Sequence, residues 1–123
     1  MKESVGLTYV TVALKAAAGR KKYEANFLVY TVATDSLAPA SELRKIGVTK
    51  VGKTAYELAD GTLQEYSFGL VEIYFMGEIT AGRVIFGPDD AEPLLGVTAL
   101  ESVGITVDPT SRTLKRLPAI PLK

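Results

Sequence analysis

The sequence predicts a mainly β domain with two short helices, its strands closed or partly closed into a barrel. Three observations predict it. Most apolar residues fall in short runs with strand-like alternation, bounded by turn residues. Only two helix signals occur, and each stops at a glycine. Those two helix segments also resemble one another, about half a chain apart.

Taken in order, the first strand is expected at Gly6–Leu14, where Leu7, Tyr9 (or its neighbour Val10), Val12 and Leu14 alternate with Thr8, Thr11 and Ala13. The same N-terminus, "MKESVGLTYVTVALKAAAG", has an early Lys, an apolar middle and an A-x-A run, features of a secretory signal. Its apolar run is short and rich in threonine, so the strand reading leads. Gly19-Arg20-Lys21-Lys22 is the expected turn into a second strand at Tyr23–Tyr30. A helix then starts near Pro39, whose fixed φ and missing N–H suit a first turn, and it stops at Gly47. Thr54–Leu58 and Leu63–Met76 form a hairpin about Asp60-Gly61, because such a turn needs a positive φ. The second of these strands is long, and Gly69 is expected to mark a bend or bulge in it. Further strands are expected at Arg83–Phe86, Ile105–Val107 and Thr113–Leu117, with a second helix at Val97–Val103 before Gly104.

The repeat pairs Ser41–Thr49, "SELRKIGVT", with Thr98–Thr106, "TALESVGIT". Each follows an apolar strand, Phe27–Tyr30 or Leu94-Leu95, so the halves share a strand, turn and helix. Helices ending in glycine are common by themselves. The shared threonine and the preceding strand favour a real repeat.

Composition narrows the chemistry. The 123 residues suit a single domain spanning 1–123, with 47% hydrophobic and 23% charged residues, enough apolar surface for a core. Fourteen basic and fourteen acidic residues balance, leaving no electrostatic footprint for nucleic acid or an anionic membrane. No apolar run approaches the roughly 20 residues that a membrane span needs, and a cytoplasmic protein is the expectation. Cysteine and histidine are both absent, which excludes disulfides, Cys/His zinc sites, thiol catalysis and any histidine base. No metal or cofactor is expected. Any catalysis falls to carboxylates, Lys, Tyr or Ser/Thr.

One family resemblance gathers these features. "VIFGPDDAEPLLGVTALESVGITVDP" gives a strand at Val84–Phe86, a Gly87-Pro88 loop, then Leu94-Leu95-Gly96 leading into a helix. The pattern resembles the retropepsin-like aspartic proteases, the family of retroviral proteases and their bacterial relatives, and it extends over roughly Tyr23 to Leu117. The resemblance implies a closed β-barrel-like fold, a homodimer and peptide-bond hydrolysis. It also implies a mobile flap hairpin within "YELADGTLQEY" (Tyr56–Tyr66), with Ala59, Asp60, Gly61 and Thr62 at its tip. The family signature, Asp-Thr/Ser-Gly followed by Ala, falls on Tyr30-Thr31-Val32 and Ala33, so no catalytic residue is intact there. Ala33 and Asp35 fall where the family has its substrate groove.

The replaced tripeptide decides the chemistry. An aspartic dyad works because two adjacent carboxylates share one proton, one acting as base toward water and the other as acid toward the peptide carbonyl. A phenol, ordinarily titrating near pH ~10, does not enter that exchange at neutrality. Val32 places a branched side chain where the family keeps glycine. The expectation is a chain inactive as written. Two alternatives stand beside it: a non-enzymatic dimer, structural or holding an extended peptide by strand addition, and a hydrolase recruiting Asp35 or another acid.

The remaining polar candidates have simpler readings. Asp35 and Asp60 suit turns that favour local backbone hydrogen bonds. Asp89, Asp90 and Glu92 lack the alternating ligand spacing of a calcium loop. Ser41 has no histidine to activate it, leaving only a Ser–Lys pair, and Lys21-Lys22 reads as a solvated tip.

Overall fold

The computed structural model describes residues 7–120 and 122. Its strands are β1 (Tyr9–Ala16), β2 (Lys22–Tyr30), β3 (Ser36–Pro39), β4 (Gly52–Glu57), β5 (Leu63–Phe75), β6 (Glu78–Gly87), β7 (Leu94–Gly96), β8 (Ile105–Asp108) and β9 (Thr113–Arg116). The helices are α1 (Ala40–Lys45) and α2 (Val97–Ser102). Seven strands form one sheet in the order β1-β2-β7-β3-β6-β5-β4, and a further β1–β5 pairing closes it into a barrel. The mainly β, closed architecture with two short helices is as the sequence predicts. No helix among the described residues is long and apolar enough to cross a membrane.

Alternation sets the inward face of each strand. Val12 and Leu14 from β1, Phe27 and Val29 from β2, and Val71, Ile73 and Phe75 from β5 meet in one core. Leu43 of α1 and Leu100 of α2 join the same core. Each fully buried large side chain contributes about 1.5–3 kcal/mol relative to exposure. The phase of β1 departs from expectation at its start. Leu7 and Tyr9 face outward, at 42% and 44% exposure, while Thr8 is buried and its hydroxyl donates to the Arg112 carbonyl. A buried hydroxyl with a partner costs little, so threonine tolerates the inward side here. Gly6 lies outside the described residues.

Several boundaries shift for local reasons. β1 runs on to Ala16, and the turn falls at Ala17-Ala18, with Ala18 at φ 59° and the Gly19 amide donating to the Ala16 carbonyl. β5 ends at Phe75, where Met76 and Gly77, both at positive φ, turn the chain into a β6 that starts five residues before the expected Arg83. Gly69 marks no bulge: Phe68↔Ile85, Gly69↔Val84 and Leu70↔Arg83 pair without a break. The glycine admits a close neighbour instead. A Cβ there would lie 2.6 Å from Val48 Cγ1 and 2.7 Å from the Thr49 carbonyl oxygen. At this point β5 also leaves β4 and takes β1 as its partner.

The repeat is visible in the pairing. Strand, loop, short strand and helix run β2–β3–α1 in the first half and β6–β7–α2 in the second. Each half lends a strand to the other, in parallel: Leu28↔Leu94 through Tyr30↔Gly96, and Ser36↔Val84 through Pro39↔Gly87. Both helices end at a glycine with positive φ, Gly47 at 87° and Gly104 at 72°.

Candidate functional site

The loop from Thr31 to Asp35 links β2 to β3 and is fixed from behind by the start of α2. The Val97 amide donates to the Ala33 carbonyl at 2.9 Å and the Thr98 amide to the Thr34 carbonyl at 3.2 Å. Ser36, buried, accepts the Gly96 amide on its hydroxyl at 3.0 Å. Gly96 is required for this approach, since a Cβ would come within 2.6–2.7 Å of three backbone atoms of Thr34 and Asp35. The loop opens with a turn in which the Ala33 amide donates to the Tyr30 carbonyl at 3.1 Å. Tyr30 is 40% exposed and Val32 79% exposed, so this corner presents bulk to its surroundings.

In front of the corner lies a groove of about 560 Å³. Tyr30, Val32, Ala33, Thr34 and Asp35 form one wall, and Tyr56 to Ala59 on the β4–β5 hairpin form another. Leu37, Ile85, Leu94 and Tyr66 complete the lining. The structure thus brings together the corner, Ala33, Asp35 and the hairpin residue Ala59. Thr31 faces a second, apolar recess with Val97, Leu100 and Leu117. Asp60, Gly61 and Thr62 stay at the hairpin tip, outside the groove lining. There the Asp60 carboxylate accepts both the amide and the hydroxyl of Thr62, bonds that hold its pKa below the ordinary value. Gly61 supplies the positive φ of 87° that the turn needs.

Asp35 is not idle. The Tyr56 hydroxyl donates to its Oδ2 at 2.6 Å, tying the hairpin to the loop. Burial, followed by this bond to a carboxylate, pushes the Tyr56 phenol up to about 12, against a smaller opposing effect of Arg83. Tyr56 also packs on Tyr66, with ring centroids 6.2 Å apart. Arg83 braces the base of the hairpin, donating to the Thr54 hydroxyl at 2.9 Å and lying 4.1 Å from the Phe68 ring centroid.

The other candidates sit elsewhere. Asp89 accepts the Ser41 amide at 2.9 Å and so satisfies an otherwise orphaned donor in the first turn of α1. Ser41 and the Asp89–Glu92 loop do not line the groove. Among the described residues no group of three or more His, Cys, Asp or Glu is placed to hold a metal ion. Sequence reasoning placed Tyr56–Tyr66 in the hairpin over the groove without singling out Tyr56, Glu57, Leu58 or Tyr66, and it missed Thr34, Leu37, Ile85 and Leu94 as groove residues. The alternation of Thr54, Tyr56 and Leu58 carried a signal for the hairpin face, but none for its partner Asp35.

Comparison with solved structures places the fold. EIAV protease complexed with the inhibitor HBY-793 superposes with a TM-score of 0.63 at 17% identity, covering 88% of this chain and 98% of that one. A retropepsin-like aspartic protease from Rickettsia conorii superposes with a TM-score of 0.55, also at 17% identity, over 81% of this chain and 76% of that one. The fold is therefore that of the retropepsin-like aspartic proteases. No protein-family model and no curated protein sequence matches the chain.

Proposed function

We propose that this chain is a peptide-binding relative of the aspartic proteases that does not cleave what it binds, and that it works as a homodimer. One observation carries the reading: the corner of a protease-like groove holds Tyr30, Thr31 and Val32 and no carboxylate. The groove retains what an extended peptide needs, with apolar walls and a hairpin, the proposed flap, that offers strand edges for backbone pairing. In a dimer built about this corner, paired Tyr30 rings would contribute about 0.5–1.5 kcal/mol beyond simple burial. The alternative of a hydrolase built on Asp35 is disfavoured by the Tyr56 hydroxyl seated on that carboxylate.

The test is a peptide-cleavage assay from acidic to neutral pH on the native chain, Asp35→Asn and the double variant Tyr30→Asp/Val32→Gly. The native chain should be inert and the double variant active. Native cleavage abolished by Asp35→Asn would overturn the reading. A folded, dimeric double variant that cuts nothing would refute the placement of the corner. Sedimentation checks the dimer directly, and a monomer at micromolar concentration counts against the shared groove.

A further inference from the structure

The charge around the groove has one sign. Asp35 and Glu57 are the charged side chains that line it; every other lining residue is apolar, a threonine or a tyrosine. Neither carboxylate belongs to any of the three ion pairs among the described residues. The side-chain contact that Asp35 makes is with an uncharged donor, the Tyr56 hydroxyl, and not with a cation. Arg83, the neighbouring cation, is not among the groove-lining residues; it is engaged with Thr54 and Phe68, acts on the Tyr56 hydroxyl, and shares a small adjoining cleft with Asp35. Beside Asp35, Tyr56 and Tyr66 stand as a tilted aromatic pair on one face of the hairpin, and Tyr30 lines the same groove.

A carboxylate next to aromatic faces in a partly dry groove favours a cation. The ring quadrupole attracts the charge, and the carboxylate accepts its N–H donors. We infer that the groove selects an extended peptide carrying a lysine or arginine among apolar residues, with the cationic head against Asp35 and the tyrosines and with Glu57 at the rim. The aliphatic stem of such a side chain lies along apolar wall while its head reaches the carboxylates. This inference rests on the peptide-binding reading above and adds the class of peptide.

The experiment pans a random decapeptide display library on the intact chain. The enriched sequences are then measured by fluorescence polarisation with the cationic residue kept or replaced by norleucine or glutamate. Lysine or arginine beside apolar residues should be enriched, and norleucine should weaken binding roughly tenfold, as expected for a partly desolvated charge contact. Asp35→Asn and Glu57→Gln should each narrow the gap between the lysine and norleucine peptides. Glu57 lies on an exposed strand end, so its variant keeps the test intact even where Asp35→Asn disturbs folding. Binders indifferent to the norleucine change, or a gap that survives both variants, would overturn the charge selectivity and leave peptide binding standing. A library that yields no binder would overturn both.

Discussion

Replacing Gly96 by alanine puts the support of the corner loop under direct strain. The new Cβ would sit 2.6 Å from the Asp35 carbonyl carbon and 2.7 Å from the carbonyl oxygens of Asp35 and Thr34. All three atoms are backbone, so no side chain can rotate away. Restoring ordinary contact at about 3.4 Å requires a separation of about 0.8 Å between the loop and the start of α2. That movement would stretch the Val97–Ala33 and Thr98–Thr34 bonds, now 2.9 and 3.2 Å, beyond hydrogen-bonding range. Overpacking of about 1–3 kcal/mol, together with two weakened bonds of about 1 kcal/mol each, gives an expected loss of about 3–5 kcal/mol. Urea unfolding of Gly96→Ala measures it. Gly82→Ala serves as the control, because nothing lies within 4 Å of a Cβ at that strand position. Amide exchange should also accelerate at Val97 and Thr98. A Gly96→Ala protein within about 0.5 kcal/mol of the Gly82→Ala control would refute the argument that the loop is buttressed through this glycine.

Three further outcomes are expected. Tyr56 ionises in the folded chain at about 12, above the ordinary phenol value of 10.0, so the stability it contributes is complete below pH 10 and is lost as pH rises through 12. Between those limits the native chain should lose stability more steeply than Tyr56→Phe, and equal slopes in alkaline urea titrations would contradict the Asp35 contact. Gly69→Ala drives a Cβ against Val48 and the Thr49 carbonyl, and thermal melting should show a loss of about 2 kcal/mol; an unchanged Tm would mean the Val48–Thr49 segment moves freely. Leu95→Ala, at a fully buried core position, should cost about 2–5 kcal/mol in the same assay, and a cost below about 1 kcal/mol would argue against that packing.

What the sequence made legible was whatever depended on near neighbours. Alternation marked the cores of β1, β2, β4 and β5, and the glycines closing both helices were placed correctly, since helix termination is decided within a few residues. β3 was hidden, because Ser36–Pro39 is four residues long and becomes a strand only by pairing with β6 and β7 from the other half of the chain. The early part of β6 was hidden for a different reason. Met76 turns the chain at a φ of 53°, a conformation that methionine gives no reason to expect. At the site, the matching of Tyr30-Thr31-Val32 to the family signature rests on the resemblance, while the structure shows Tyr30, Val32, Ala33 and Asp35 lining one groove. The Tyr56–Asp35 bond was not legible, because it joins a strand to a loop only once the hairpin has folded over. Asp89 as a cap for α1 is the same kind of case: the helix lacks a capping side chain of its own and borrows one from the other half of the barrel.

The crossed parallel pairs have a consequence for how the molecule comes into being. β2 has β7 beside it and β3 has β6, so each half of the repeat completes its sheet with the other half's strands. Neither half is a self-sufficient folding unit, and the central ladder forms only after distant segments meet. Loop closure has to be met before those contacts stabilise anything, which places the chain among slow, topology-limited folders. Until the halves interlock, the unpaired edges of β2 and β6 are exposed to other chains, and concentration during refolding becomes a determinant of yield.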